Sequence, residues 1–346
     1  MTYLPLLLAD PSPSLRYLVL HELFQRPEDD PELQELDSLR AVDSLTQELV
    51  KTQNADGSWE SVDPSGAIQG EKLYWSAQAL VRFGYLGYGP QHPVVQRGAE
   101  FIFSRQLEDG SWPLPASRAS VDGVDGYSMI PLQTAIPLRG LAACGLAVDP
   151  RAERGYDWLL TQRLDDGAWP VGIAAGNYGY IAGYRRLPHS RWGCRSNTTA
   201  AMICLSLHPH RRTSPQAHSA LDHLLGRETR DQHNLGYEVA RTIGAERARG
   251  YITFFARFDP AMVLDLCWRA AASPDDPRIS DLIGFIRDLQ GPYGLWETIE
   301  RPQVSRWVTF DLLRSLSRLD QNAGNDWLSM EPRTPFQPYP KPDRRY

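Results

Sequence analysis

The stretch Gln106-Leu-Glu-Asp-Gly-Ser-Trp112 decides the fold, because close variants of it return along the chain. The copies that keep both Gln and Trp are residues 53–59, 106–112, 162–169 and 290–296. Their tryptophans are separated by 53, 57 and 127 residues, and the last interval holds a worn copy, 232–237, that ends in Tyr. Such a period indicates a supersecondary unit that buries its apolar face by stacking on neighbouring units.

The segments on either side of each copy have different hydrophobic patterns. Before Gln106, the residues Val95, Ala99, Ile102 and Phe103 recur at helical spacing and predict a helix with one buried side. The segments that follow the copies are apolar nearly all round, as in 134–146, 198–207 and 262–271. A helix without a polar face must be covered on both sides.

The alternation of these two helix types predicts two concentric layers. We therefore expect an all-α fold, an α/α toroid (barrel) of about five to six helical hairpins around a central cavity. Residues 1–320 would form this single domain, and residues 321–346, which are rich in Pro, would form an extended C-terminal tail.

Composition excludes several function classes. The net charge of −6 has no long run of one sign, which argues against general nucleic-acid binding. The apolar run at residues 4–8 is too short to span a membrane, so we expect a soluble, cytoplasmic protein that contacts a membrane at most peripherally. The four cysteines are scattered along the chain, and we expect them to be reduced thiols. No cofactor is predicted, and the sequence leaves the oligomeric state open.

The repeated Gln-(x)5–6-Trp pattern with an internal Gly resembles the QW motif of squalene-hopene and oxidosqualene cyclases, and also the related repeats of protein prenyltransferase β subunits. The resemblance covers roughly residues 13–319. It implies an apolar cavity, lined by the inner helices and suited to an isoprenoid chain. It also implies that Gln bonds across its turn while Trp packs on the next hairpin, which makes both residues structural.

The chemistry of these families is only partly represented. The cyclases carry an Asp-x-Asp-Asp acid, and the nearest segment here is Asp122-Gly-Val-Asp125. The segment Asp265-Leu-Cys267-Trp268 looks like part of the prenyltransferase zinc site, but Val308 stands where the third ligand, a His, is expected. Two ligands do not make a zinc site, so no metal is predicted.

A catalytic acid in such a cavity would be a desolvated carboxylate. Asp265 is the first candidate, because it interrupts an apolar inner-helix stretch; the alternative is a carboxylate paired with an Arg at the rim. Asp311 is the second candidate, although Arg314 is a local partner. Asp122 and Asp125 are further candidates, with a turn or cap role as the alternative.

The candidate substrate-binding residues are aromatic side chains and arginines of the inner helices and of two insertions, 171–197 and 236–259, both expected at one rim. They are Tyr74, Trp75, Tyr180, Tyr184, Arg185, Arg186, Trp192, Arg195, Tyr251, Phe254, Phe255, Arg257, Trp268 and Trp307. Arginines suit phosphate and aromatic faces suit a carbocation, so the expected ligand is an apolar or prenyl diphosphate small molecule. The alternative is a solvated Arg surface paired with Glu238 and Glu246.

Three classes of function follow. The first, which we take as the hypothesis, is a terpene-cyclase-like enzyme that cyclises or isomerises an isoprenoid by acid catalysis. The second is a non-catalytic toroid that binds isoprenoids, lipids or another partner. The third is a protein-prenyltransferase-like or other α/α-barrel enzyme. Within the third class, a carbohydrate enzyme would need paired carboxylates across the cavity, and a lanthionine-forming enzyme would need a Cys/Cys/His zinc set.

Overall fold

Helices dominate the part of the chain that the structure describes. The computed structural model describes residues 4–62, 68–69, 72–112, 131–170, 173–174, 177–178, 186–246, 258–298 and 301–336. The α-helices of these residues are α1 (Leu4–Leu8), α2 (Pro13–Leu18), α3 (Pro31–Arg40), α4 (Ser44–Thr52), α5 (Lys72–Tyr85), α6 (Pro93–Phe103), α7 (Pro131–Ala143), α8 (Pro150–Thr161), α9 (Arg195–Leu207), α10 (Pro215–Leu225), α11 (Tyr237–Thr242), α12 (Pro260–Arg269), α13 (Pro277–Asp288) and α14 (Ser305–Asp320).

Short elements of other kinds connect some of these helices. A π-helical turn, Val19–Leu23, continues α2, and 3₁₀ turns cover Gln232–Asn234 and Pro302–Val304. Two antiparallel pairs of two-residue strands join β1 (Ser61–Val62) to β2 (Ile68–Gln69) and β3 (Ile173–Ala174) to β4 (Asn177–Tyr178).

Five helices form the inner layer of a ring. Along the chain, α5 packs on α7, α7 on α9, α9 on α12 and α12 on α14. The ring closes where the Tyr85 hydroxyl of α5 donates to Asp311 Oδ1 of α14, at 3.0 Å. Four outer helices pack on inner helices: α6 on α5, α8 on α7, α10 on α9 and α13 on α12. This arrangement confirms the predicted all-α, α/α toroid of helical hairpins.

The Trp of each repeat joins an outer helix to an inner one. The Trp112 indole Nε1 donates to the Ile102 carbonyl of α6 at 2.8 Å, and the Trp112 backbone N–H donates to Thr134 Oγ1 of α7 at 3.1 Å. Its ring lies against Gly155 of α8, where a Cβ would approach the indole to 2.7 Å. Both kinds of hydrogen bond recur at Trp59, Trp169 and Trp296, with Ser76, Thr198 and Thr309 as the hydroxyl acceptors.

The Gln of the repeat bonds across its own turn and, in two copies, to the next outer helix. Gln106 Nε2 donates to the Gly110 carbonyl at 2.9 Å and to the Arg151 carbonyl of α8 at 2.8 Å. Gln53 makes the equivalent bonds. Gln162 does not: the third copy has one extra residue, and Gln162 Nε2 instead donates to Thr161 Oγ1. At this copy, the next outer helix, α10, contacts the turn through His223.

Part of the C-terminal tail is extended and packed on the outer layer. Arg333 forms a salt bridge with the fully buried Asp222 of α10. Arg278 of α13 holds the same carboxylate at 2.8 Å and also donates to the Arg333 carbonyl at 2.9 Å. The Phe336 N–H donates to the Gly226 carbonyl at 3.1 Å. Residues 321–324 form a turn, and residues 325–336 continue outside helices along the ring. The predicted domain boundary at residue 320 stays a prediction.

Candidate functional site

A short helix from the second insertion packs on several inner helices. This helix, α11, packs against α5. Glu238 Oε1 lies 2.6 Å from Arg139 Nη1 of α7. Gly236 has a left-handed backbone, with φ at 75°, and a Cβ there would collide with Val308 of α14. The expectation that insertion 236–259 lies at a rim stays a prediction.

A cavity of about 430 Å³ lies beside α11, between the inner helices. Its wall combines apolar residues such as Val81, Ile203 and Met262 with many charged ones. The charged residues are Glu22, Arg139, Glu238, Asp259, Asp265, Arg269, Asp311, Arg314 and Arg318. The lining is therefore mixed, whereas the expectation was an apolar cavity. Among the inner helices, α7, α12 and α14 bring these charges, and α5 and α9 bring uncharged residues.

Arg314 lies at the centre of these charges. Its guanidinium is 2.9 Å from Asp311 Oδ1, 3.4 Å from Glu22 Oε2 and 3.6 Å from Asp265 Oδ1. Glu22 belongs to the π-helical turn and also pairs with Arg318 at 2.9 Å. Burial disfavours the charged guanidinium, but the three carboxylates raise the pKa of Arg314 above its usual value. Arg314 thus ties α14 to α12 and to the N-terminal helices.

Asp265 is firmly paired. Its Oδ2 accepts from Arg269 Nε at 2.7 Å and its Oδ1 accepts from the Trp268 indole at 2.9 Å. Burial by itself would raise the pKa of Asp265, but Arg269 and Arg314 hold it below the usual range. A proton donor must keep its proton near neutral pH, which Asp265 does not do. The structure corrects the hypothesis of Asp265 as the acid and fits its alternative, a carboxylate paired with Arg.

Asp311 has the opposite pKa shift. Burial raises the pKa of Asp311 to about 6, and the charge of Asp265 adds to the increase, although Arg314 and the Tyr85 hydroxyl oppose it. Asp311 and Tyr85 both line the cavity. The Tyr85 ring centroid lies 5.8 Å from that of Trp307, which is buried.

Asp259 is a second carboxylate that burial shifts upward, to a pKa of about 7. Sequence reasoning did not single it out. Its Oδ1 accepts from the Gly236 and Ala261 N–H groups at 3.1 and 2.9 Å, and its Oδ2 accepts from the Glu238 N–H at 2.8 Å. Both oxygens are therefore used to hold the starts of α11 and α12 together.

Three of the aromatic candidates, all on inner helices, lie in two different places. Trp268 lies between the guanidinium groups of Arg269 and Arg318, at 4.6 and 4.5 Å, and lines a recess of about 350 Å³ that adjoins the central cavity. Tyr74 and Trp75 contact each other edge to face at 5.0 Å and do not line the central cavity. Burial raises the pKa of the Tyr74 hydroxyl.

Three binding candidates lie at the other rim, where α9 begins. Arg186 and Arg195 line a separate pocket, and Trp192 is half-buried beside Arg191. Several candidates lie outside the described residues: Asp122, Asp125, Tyr180, Tyr184, Arg185, Tyr251, Phe254, Phe255 and Arg257.

The partial zinc motif forms no metal centre in the described residues, where no group of three or more His, Cys, Asp or Glu is placed to hold a metal ion. Cys267 is fully buried, and burial raises the pKa of its thiol. Among the described helices, none is long and apolar enough to cross a membrane.

The sequence analysis missed Glu22, Arg139 and Glu238 as members of the cavity wall. One signal was available for Glu22. The pair His21-Glu22 interrupts an apolar run at residues 18–20, and in the structure this interruption is a π-helical turn, an element that often occurs at functional sites.

Sequence comparison places the chain near the triterpene cyclases. Residues 31–180 match the family model of the squalene-hopene cyclase C-terminal domain. A probable squalene–hopene cyclase of Sinorhizobium fredii is 31% identical over 124 residues, which are 35% of this chain and 18% of that protein. A lanosterol synthase of Candida albicans is 28% identical over 132 residues, 38% of this chain and 18% of that one. The match thus spans less than a fifth of the relatives' length.

Solved structures with a similar fold include the type II terpene cyclase MstE from Scytonema, without ligand. It is 17% identical, has a TM-score of 0.47, and the match covers 81% of this chain and 74% of MstE. A variant of MstE in complex with geranylgeranyl dihydroxybenzoate gives a TM-score of 0.45 over the same shares. Over residues 31–180 the chain is thus similar in sequence to the squalene-hopene cyclases, and its described helices form a terpene-cyclase-like α/α toroid.

Proposed function

We propose that this chain is a terpene-cyclase-like enzyme that cyclises or isomerises an isoprenoid-type substrate in the central cavity, with Asp311 as the acid. The observation that carries the proposal is the position of the Asp311 carboxyl group, which lies on the cavity wall and accepts a hydrogen bond from the Tyr85 hydroxyl. Burial raises its pKa to about 6, which favours the protonated form. A general acid works best when its pKa lies near the working pH.

The surroundings of Asp311 suit a cationic reaction. The Tyr85 hydroxyl orients the carboxyl group through a 3.0 Å hydrogen bond. Proton transfer from Asp311 to a substrate double bond would leave a carbocation, which a second double bond or a migrating hydride then attacks. The final carbocation then loses a proton to the Asp311 carboxylate, so the enzyme ends the cycle in its starting protonation state. The aromatic ring of Tyr85, which lines the cavity, can stabilise positive charge there.

The ligand that we expect is an apolar isoprenoid or a prenyl diphosphate. A volume of about 430 Å³ lies within the usual range of small-molecule sites. The adjoining recess, lined by Trp268 and Arg318, extends this space towards the C-terminal ends of the inner helices. An amphiphilic isoprenoid could place its polar end among these charged groups and its chain along Val81, Ile203 and Met262.

A second candidate function is a non-catalytic toroid that binds an isoprenoid or lipid. One observation favours it: Arg314 lies 2.9 Å from Asp311, and a permanent cation at this distance favours the ionised carboxylate over the proton donor. In that case the charged groups of the cavity stabilise the ring and take no part in chemistry.

The test is product formation by Asp311→Asn. Purified wild-type protein is incubated with squalene and with linear prenyl diphosphates, and products are identified by gas chromatography and mass spectrometry. Asn keeps the shape of the side chain and removes the proton, so turnover should fall about 10²- to 10⁴-fold. Asp265→Asn is the matched control, because Asp265 also lines the cavity, and it should keep most of the turnover.

Two results would contradict the proposal. Equal turnover by wild type and Asp311→Asn would remove Asp311 from the chemistry. No product from any substrate, together with an isoprenoid or lipid that co-purifies with the wild-type protein, would establish the binding toroid instead.

A further inference from the structure

A second pocket, the rim pocket, lies where α9 begins and α10 ends. It has a volume of about 730 Å³ and shares no lining residue with the central cavity. It is lined by Arg186, Leu187, Pro188, His189, Ser190, Arg191, Arg195, Arg227, Glu228 and Phe336. Four arginines and one glutamate therefore face this pocket.

The glutamate does not neutralise these arginines. Glu228 is bound to Arg230, which lies outside the lining: the Arg230 backbone N–H and guanidinium donate to its two oxygens at 2.9, 2.9 and 3.0 Å. In the described part of the chain, neither Arg186, Arg191 nor Arg227 has a carboxylate within 4.0 Å.

Arg227 shows the lack of a counter-charge most clearly. Its guanidinium lies 3.9 Å above the Phe258 ring, and its Nη1 is buried with no hydrogen-bond partner among the described residues. Burial and the charge of Arg195 lower the pKa of Arg227 to about 9, although the more distant carboxylates of Asp231 and Glu228 oppose the decrease. A buried cationic donor without a partner is costly, and such a group is expected to be satisfied by something that binds.

We infer that the rim pocket binds a phosphate-bearing ligand, at a site separate from the central cavity. Arginine forks match the oxygens of phosphate bidentately. Three arginines that have no described carboxylate within 4.0 Å suit a ligand group with two or more negative charges better than they suit a single carboxylate. Leu187, Pro188 and Phe336 provide an apolar wall for the part of the ligand that carries the phosphate. The phosphate belongs either to a free small molecule or to a lipid headgroup.

The test uses the full chain at low salt. Inorganic pyrophosphate is titrated into the protein in a calorimeter, and binding to phosphatidylcholine vesicles with and without phosphatidic acid is measured by co-sedimentation. Wild-type protein should bind pyrophosphate if the ligand is a free phosphate, and only the vesicles with phosphatidic acid if it is a headgroup. Arg227→Gln should weaken the observed binding at least tenfold.

Controls separate this site from general electrostatics and from misfolding. Arg287→Gln removes an exposed charge of α13, outside the pocket, and should change binding less than twofold. Arg186→Gln should weaken binding as Arg227→Gln does, and it leaves the contact with Phe258 intact, so it serves if Arg227→Gln does not fold. Asp311→Asn should bind like wild type, whatever its effect on turnover. No binding of either probe by wild type, or equal losses in Arg287→Gln and Arg186→Gln, would overturn the inference.

Discussion

Arginine has opposite surroundings in the central cavity and in the rim pocket. Arg314 is within 4.0 Å of three carboxylates, so its charge is compensated and it holds helices together. Arg227 has an aromatic ring below it, a second Arg nearby and no carboxylate within the same distance in the described chain. We conclude that the number of carboxylates close to a guanidinium group, rather than the residue type, distinguishes a structural arginine from a candidate ligand-binding one.

The largest expected effect follows from Arg314→Gln. The change leaves Asp311, Glu22 and Asp265 close together and without their shared cation. Removal of one partner from a buried ion pair costs about 3–5 kcal/mol, so the free energy of unfolding should fall by this amount. Chemical denaturation at pH 7 measures it, with Arg230→Gln as the exposed control. A loss below about 1 kcal/mol would mean that the carboxylates are compensated in another way.

Asp311→Asn should show a distinctive pH dependence. In the folded protein the pKa of Asp311 is about 6, against 3.8 for an ordinary Asp. Ionisation therefore destabilises the wild-type fold as the pH rises from about 4 to 6. The unfolding free energy of wild type minus that of Asp311→Asn should fall by about 1–3 kcal/mol over this window and stay level above pH 7. A difference that grows with pH would show that the Arg314 pair dominates.

Asp265→Asn should show the reverse dependence. The pKa of Asp265 lies below 3.8 in the folded protein, so its ionised form stabilises the fold above the unfolded pKa and this contribution disappears as the pH falls through the folded one. At pH 7 the variant should lose about 1–2 kcal/mol, since charged hydrogen bonds to Arg269 and Trp268 are weakened. Thermal unfolding at pH 7 and pH 3.5 measures both limits. An equal loss at the two pH values would contradict the ion-pair role.

The smallest effect, and the one with the opposite sign, is expected for Arg227→Gln. Removal of a buried and uncompensated charge should raise the free energy of unfolding, by less than about 1 kcal/mol because the contact with Phe258 weakens at the same time. Denaturation in phosphate-free buffer measures it beside Arg314→Gln. A loss of several kcal/mol would place the two arginines in the same structural class.

The fold could be predicted from the sequence because its determinants are local. A Gln, a Gly and a Trp within seven residues specify one turn, and the apolar patterns around Val95 and Ile279 specify the helices that it joins. The exception at Gln162 is also local, since one inserted residue moves the amide away from its turn.

The candidate site could be predicted only in part, because its charges come from distant segments. Asp311 and Asp265 were recognisable as single acids in apolar helices, but their pKa shifts have opposite directions. What separates them is the number of cations in contact: Asp265 has Arg269 of its own helix as well as Arg314, and only the contact with Arg314 depends on how α12 and α14 pack. Arg139 gave no sequence signal, and the interruption at Glu22 did not indicate which helices it would meet.

The position of α11 has a consequence for the order of assembly. An open array of repeats is held by neighbour contacts and can lose its end units one at a time. Here α11 meets α7 through Glu238 and Arg139, and α14 through Gly236 and Val308. The ring is therefore also held by contacts between hairpins that are not neighbours in sequence, and removal of either end would expose the buried surface of α11. The chain should consequently fold and melt as one cooperative unit.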